Sequence, residues 1–304
     1  MKNLLKLSDL SKEDIYEILD LAEVIKDKRK KNIPFQPLLG RTLGMIFQKA
    51  STRTRVSFEV GMYELGGHPL FLSANDLQIG RGEPIEDTAR VLSRYLDGIM
   101  IRTYSQREVE ALAGYSSIPV INGLTDYSHP CQVLADLLTI REYKGGLNGL
   151  KMAYVGDGNN MSNSLIVGCL KVGMRVSCAV PKGYYPAQDV LEWALLQPNF
   201  EITQSVRNTV KGADVVFTDV WASMGMEDEV ETRKRAFQGW QVNEEVLREA
   251  SPDVMVQHCL PAHRGEEITT ETFEKHSPEI FDEAENRLHV QKAVMTLLMG
   301  NKEW

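Results

Sequence analysis

The segment Gln48-Lys49-Ala50-Ser51-Thr52-Arg53-Thr54-Arg55 sets small hydroxyl residues and two arginines directly behind an apolar run at 43–47. Short hydroxyl side chains cap helices, so the segment reads as a helix start at the carboxyl end of a strand. The free N–H groups of a first turn attract an anion, and cations there are unfavourable without one. Arg53 and Arg55 therefore predict an anion site, because guanidinium forks grip phosphate oxygens in pairs. Arg102 closes another apolar run, 98–101, and brings a third cation to the same edge. His129-Pro130-Cys131-Gln132 then follows a loop rich in turn residues and opens a helix expected over 132–143. Taken alone, a histidine in such a place is more often structural than catalytic.

In the second half, Val155-Gly156-Asp157-Gly158-Asn159-Asn160 imitates the opening of a dinucleotide fingerprint, but Met161 stands where the third glycine belongs. Two asparagines in a strand-to-helix loop suit a polar small molecule instead. Asp219 follows the apolar run 215–218 and is placed to hold an ammonium group, with Ser223, Met224 and Gly225 close behind. His258-Cys259-Leu260-Pro261 follows a further run at 254–257. That segment is read equally as a tight loop, and with no fourth ligand at a recognised spacing no metal is expected there.

These residues need elements to hold them. Ser11 to Asp14 resembles a capping box, and Ile15, Ile18, Leu19, Ala22 and Ile25 follow at helical spacing towards Asn32. Apolar runs at 43–47, 69–72, 98–101 and 119–121 alternate with helical segments, and a second series runs through 152–155, 175–180, 200–203, 215–218 and 254–257. The alternation predicts an α/β chain of two doubly wound parallel-sheet domains, 1–144 and 145–284, joined by a hinge helix. The last apolar helical stretch, 290–299, is too short for a domain, and residues 285–304 are expected to pack back onto the N-terminal one.

The chain has 304 residues and a net charge of −8, from 34 Lys and Arg against 42 Asp and Glu. That balance argues against a general hold on nucleic acid or on anionic membrane, so an anion must be bound in a local basic pocket. Charges interrupt the first apolar residues before an export signal builds up, and no run is long enough to span a bilayer. Cys131, Cys169, Cys178 and Cys259 form no C-x-x-C pair and are expected as reduced, cytoplasmic thiols.

Ser51-Thr52-Arg53-Thr54-Arg55, His129-Pro130-x-Gln132, Asp219-x-x-x-Ser223-Met224-Gly225 and His258-Cys259-Leu260-Pro261 together resemble, in order and spacing, the motifs of the ornithine carbamoyltransferases. These belong to the aspartate/ornithine carbamoyltransferase superfamily. The first two motifs are shared with the aspartate branch, whereas the last two point to ornithine. The resemblance implies carbamoyl phosphate against Ser51, Thr52, Arg53, Thr54, Arg102, His129, Gln132, Cys259, Leu260 and Arg287. It implies ornithine against Asn160, Asp219, Ser223 and Met224. It further implies a closed trimer in which the polar loop 76–84 reaches a neighbouring subunit and Gln78 touches carbamoyl phosphate. On sequence alone, a surface loop is the competing description of that segment.

The implied reaction is attack of the ornithine δ-amine on the carbonyl carbon, giving citrulline and phosphate with no metal or organic cofactor. Arg102, His129, Asp219 and Cys259 carry the catalytic expectation. Arg53, Arg55 and Arg102 would neutralise the leaving phosphate, and His129 with the Thr54 hydroxyl would polarise the carbonyl. A carbamoyltransferase for another amine such as putrescine, a two-lobed binding protein and a dinucleotide-dependent oxidoreductase are the alternatives.

Overall fold

In the computed structural model, which describes residues 1–74, 77, 82–223 and 225–300, the chain divides into two compact units. One comprises Met1–Leu138 with Glu285–Trp304, the other Thr139–Ala284.

The first unit opens with helix α1 (Lys12–Lys30). Ser11 accepts from the Asp14 N–H at 3.0 Å and Asp14 reaches back to the Ser11 N–H at 2.8 Å, closing the capping box. Its apolar stripe, from Ile15 to Ile25, is buried. Then strand and helix alternate: β1 (Thr42–Phe47), α2 (Thr52–Glu64), β2 (His68–Ser73), α3 (Ile85–Leu92), β3 (Gly98–Arg102), α4 (Gln106–Tyr115), β4 (Val120–Leu124) and α5 (Pro130–Lys144). The four strands are parallel, in the order β2-β1-β3-β4. Leu4 bridges to Ile121 beside β4, which covers that edge of the sheet.

Helix α5 carries the chain into the second unit. There β5 (Lys151–Val155), α6 (Asn160–Lys171), β6 (Arg175–Ala179), α7 (Gln188–Leu195), β7 (Phe200–Thr203), α8 (Val206–Val210), β8 (Val215–Thr218), α9 (Val230–Ala236), α10 (Glu244–Leu247), β9 (Met255–Gln257) and α11 (Thr270–Lys275) follow. The sheet is parallel, in the order β7-β6-β5-β8-β9. Both sheets are doubly wound. In such sheets the crevice that receives a ligand lies beyond the carboxyl ends of the strands where the order reverses: β1 and β3 in the first, β5 and β8 in the second.

Helix α12 (Ser277–Met299) starts thirteen positions before the apolar stretch at 290–299 and returns to the first unit. There Lys26 Nζ donates to Asn286 Oδ1 at 2.7 Å, and Lys292 pairs with Glu64 at 2.7 Å. Among the described residues, no helix is long and apolar enough to cross a membrane.

Candidate active site

In the first unit the chemistry gathers at the β1/β3 switch point. Ser51 caps α2 with an extended backbone and accepts from the Thr54 N–H at 3.2 Å. Thr54, fully buried, receives Arg287 Nη2 at 2.9 Å and Arg102 Nη1 at 3.4 Å on its hydroxyl oxygen. A register shift between β3 and β4 sets Asn122 opposite Ile101 but Leu124 opposite Arg102. The extra residue is Gly123 on β4, so the bulge bends β4 beside Arg102 at the end of the ladder. Gln132 is buried and its Nε2 donates to Asp136 Oδ1 at 3.0 Å.

His129 is buried beside these cations. Burial first, and then the positive charges of Arg287, Arg102 and Arg53, hold its ring well below the ordinary value of 6.5. At neutral pH the imidazole is uncharged, with one nitrogen able to donate and the other to accept. Arg287 is 3% exposed, and no carboxylate pairs with it among the described residues. A buried guanidinium without a counterion is costly, and a bound anion removes that cost.

Arg55 has partners of its own: its Nε bonds Glu59 at 3.0 Å and its guanidinium lies 3.7 Å from the Phe71 ring centre. Two residues along a helix rotate a side chain by roughly 200°, so Arg53 and Arg55 leave α2 on different faces. Gln78 and Met224, both expected in the site, lie outside the described residues.

In the second unit three loops converge at the carboxyl edge of β5, β8 and β9. Asp219, 4% exposed, accepts on Oδ1 from Cys259 Sγ at 3.0 Å and from the Val220 N–H at 2.8 Å. Its Oδ2 accepts from Asn159 Nδ2 at 2.8 Å. Gly158 owes its place to packing, because a Cβ there would stand 2.1 Å from the Tyr185 carbonyl carbon. That contact accounts for the glycine that mimics a dinucleotide fingerprint. Asp157 meets Arg233 Nη1 at 2.8 Å, and the same nitrogen donates to the Trp221 carbonyl at 3.0 Å. Burial pushes the Asp157 carboxyl up to about 6 against the pull of Arg233.

After β9, His258 is fully buried between two partners. Its Nδ1 accepts from the Leu260 N–H at 2.9 Å, and its Nε2 faces Glu267 Oε1 at 3.0 Å. The first bond steadies Leu260, whose φ of 56° is left-handed and unfavourable for a branched side chain. Asp219, His258 and Cys259 could offer a metal one ligand atom each within 4.8 Å, but both His258 nitrogens are already engaged, so an ion would have to displace those bonds.

The sequence profile of the aspartate/ornithine carbamoyltransferase carbamoyl-P binding domain matches residues 2–142, and that of the Asp/Orn binding domain matches 148–298. The chain belongs to the aspartate/ornithine carbamoyltransferase family. A relative from Carboxydothermus hydrogenoformans, named ornithine carbamoyltransferase, is 57% identical over 98% of this chain and 98% of its own. One from Pyrococcus furiosus, named the anabolic ornithine carbamoyltransferase, is 52% identical over 98% of this chain and 96% of its own. The solved ornithine carbamoyltransferase structure from Pyrococcus furiosus superimposes with a TM-score of 0.93 at 52% identity, covering 98% and 97% of the two chains.

Within this carbamoyltransferase the structure gathers Ser51, Thr54, Arg102 and Arg287 about one hydroxyl, with Arg53 close enough to His129 to depress its ionisation. In the other unit it gathers Asp219 and Cys259. Sequence reading singled out the Asn159-Asn160 pair but not the bond from Asn159 to Asp219, and it missed Arg233 and Glu267. Asn159 alone had a legible signal, since an asparagine directly before a helix is a cap whose amide nitrogen is left to point elsewhere.

Proposed function

We propose that this chain transfers the carbamoyl group of carbamoyl phosphate to the δ-amine of L-ornithine, releasing phosphate and forming L-citrulline. The amine nitrogen forms a bond to the carbonyl carbon, the carbon–oxygen bond to phosphate breaks, and the nitrogen loses a proton. The observation that carries the reading is Arg287: a buried cation with no carboxylate partner among the described residues, joined to the capped start of α2 through Thr54.

On this reading Ser51, Thr52, Arg53, Thr54, Arg102, Gln132 and Arg287 hold carbamoyl phosphate in the first unit. Arg102, Arg287 and the Ser51 hydroxyl all donate to the Thr54 hydroxyl oxygen, so the Thr54 proton is left for the substrate carbonyl. Neutral His129 donates to the same carbonyl as charge develops there, a kind of stabilisation worth about 3 to 4 kcal/mol per donor. Asn160, Asp219, Ser223 and Met224 receive ornithine in the second unit, and Cys259 and Leu260 complete the reacting centre. The chemistry so written uses no metal or organic cofactor.

The anabolic Pyrococcus furiosus relative supports a place in arginine biosynthesis, and the four free thiols support a cytoplasmic one. We further place the chain in a homotrimer whose 76–84 loop lends Gln78 to a neighbour. The exposed Leu70 and Phe71 on edge strand β2, with Val56 on α2, support such an interface. Purified protein given carbamoyl phosphate and ornithine is expected to form citrulline and phosphate in equal amounts, with little turnover of putrescine. Equal rates with putrescine would overturn the assignment.

A further inference from the structure

Asn159 is the N-cap of α6, with an extended backbone and little exposure. Its Oδ1 accepts from the Met161 N–H at 2.9 Å and from the Ser162 N–H at 3.2 Å. Two backbone donors fix which end of the amide is oxygen, so Nδ2 must be the atom that faces Asp219 Oδ2 at 2.8 Å. An ionised carboxylate offers about four acceptor positions. Cys259 and the Val220 N–H occupy two of them on Oδ1, and Asn159 takes a third on Oδ2.

Donors on both oxygens lock the carboxylate plane and leave Asp219 one acceptor direction. We infer that Asn159 is the positioning residue for Asp219, aiming that last direction at the incoming amine while tying it to the start of α6. This rests on the reading of Asp219 as the group that faces ornithine. Aspartate, serine and asparagine cap helices about equally well. Capping and positioning are therefore separable by substitution. Asn159→Ser keeps a cap acceptor and loses the donor, and Asn159→Asp keeps the cap but turns a carboxylate towards Asp219.

The test is a double-mutant cycle on the intact enzyme, using Asn159→Ser, Asp219→Ala and the pair, with Asn159→Asp replacing Asn159→Ser should the serine variant fold poorly. The Asn159 variant is expected to lower kcat/KM for ornithine about 10- to 100-fold, the scale of a hydrogen bond to a charged group, with carbamoyl phosphate affinity and melting temperature nearly unchanged. In the Asp219→Ala background the same substitution should cost less than about 2-fold, since its action runs through Asp219. Additive losses, or an Asn159 variant that keeps its kcat/KM, would overturn the proposal. Undiminished ornithine turnover in Asp219→Ala would instead overturn the reading of Asp219 on which it stands.

Discussion

His129 resists protonation because burial, and then Arg287, Arg102 and Arg53, oppose a further positive charge in their midst. Its folded pKa is depressed, so below about pH 6.5 the unfolded chain takes up a proton that the native state refuses, and stability falls as pH falls. Denaturant titrations from pH 7 to 5 should show this loss in the wild type and a shallower one in His129→Asn. Parallel curves would place the ring outside the influence of the arginines. Arg53→Ala should weaken carbamoyl phosphate binding by about 1.5 to 3 kcal/mol, the worth of a hydrogen bond to a charged group, and calorimetry showing unchanged affinity would move the anion elsewhere. Ser51 to Thr54 were legible because capping is local chemistry. Arg287 was not: no spacing rule joins it to Thr54, and only the family resemblance named it. Arg233 was hidden for the same reason, and so was the bond from Asn159 to Asp219, since each acts on a residue supplied by a different loop.

Helix and strand boundaries were readable wherever the buried face is apolar. Helix α1 and the nine strands among the described residues emerged close to their observed places, most of them because both faces of a parallel sheet are covered, though edge strand β2 leaves Leu70 and Phe71 exposed. Helix α12 did not emerge whole, because the part before the apolar stretch at 290–299 buries Glu283, Asn286, Arg287 and His289, and polar residues on the inner face erase the hydrophobic period. The partners of Arg55, Glu59 and Phe71, follow from the directions of a helix and not from its place in a run of cations. Between elements, Asp157 after β5 and Arg233 on α9 tie the loop that follows β8 to the loop before α6. The Asp157 pKa is raised to about 6, so between about pH 4 and 6 the native state holds a proton that the unfolded chain has released. This group's contribution therefore falls as pH rises through that window, by no more than about 3 kcal/mol. Urea unfolding of wild type against Asp157→Asn should show the difference declining with pH and then levelling. A difference that grows across the same range would mean that Arg233 outweighs burial.

At the scale of the molecule, the composite-site proposal is testable by mixing. Gln78→Ala and Cys259→Ala homotrimers should each be impaired. Dissociated together and reassembled, they should recover part of the activity, because some sites would join an intact loop from one chain to an intact thiol from another. No recovery in verified mixed trimers would show that each chain carries a complete site. The return of α12 to the first unit also bears on how the chain is made. Residues 139–284 are synthesised between the two parts of the first unit, and Arg287 comes after them. A growing chain on the ribosome thus has the capped start of α2, Arg53 and Arg102 long before it has the guanidinium that joins them at Thr54. Until that late helix clears the exit tunnel, the unit begun first has neither its last packing layer nor its complete anion site, while the unit begun second already has all of its strands.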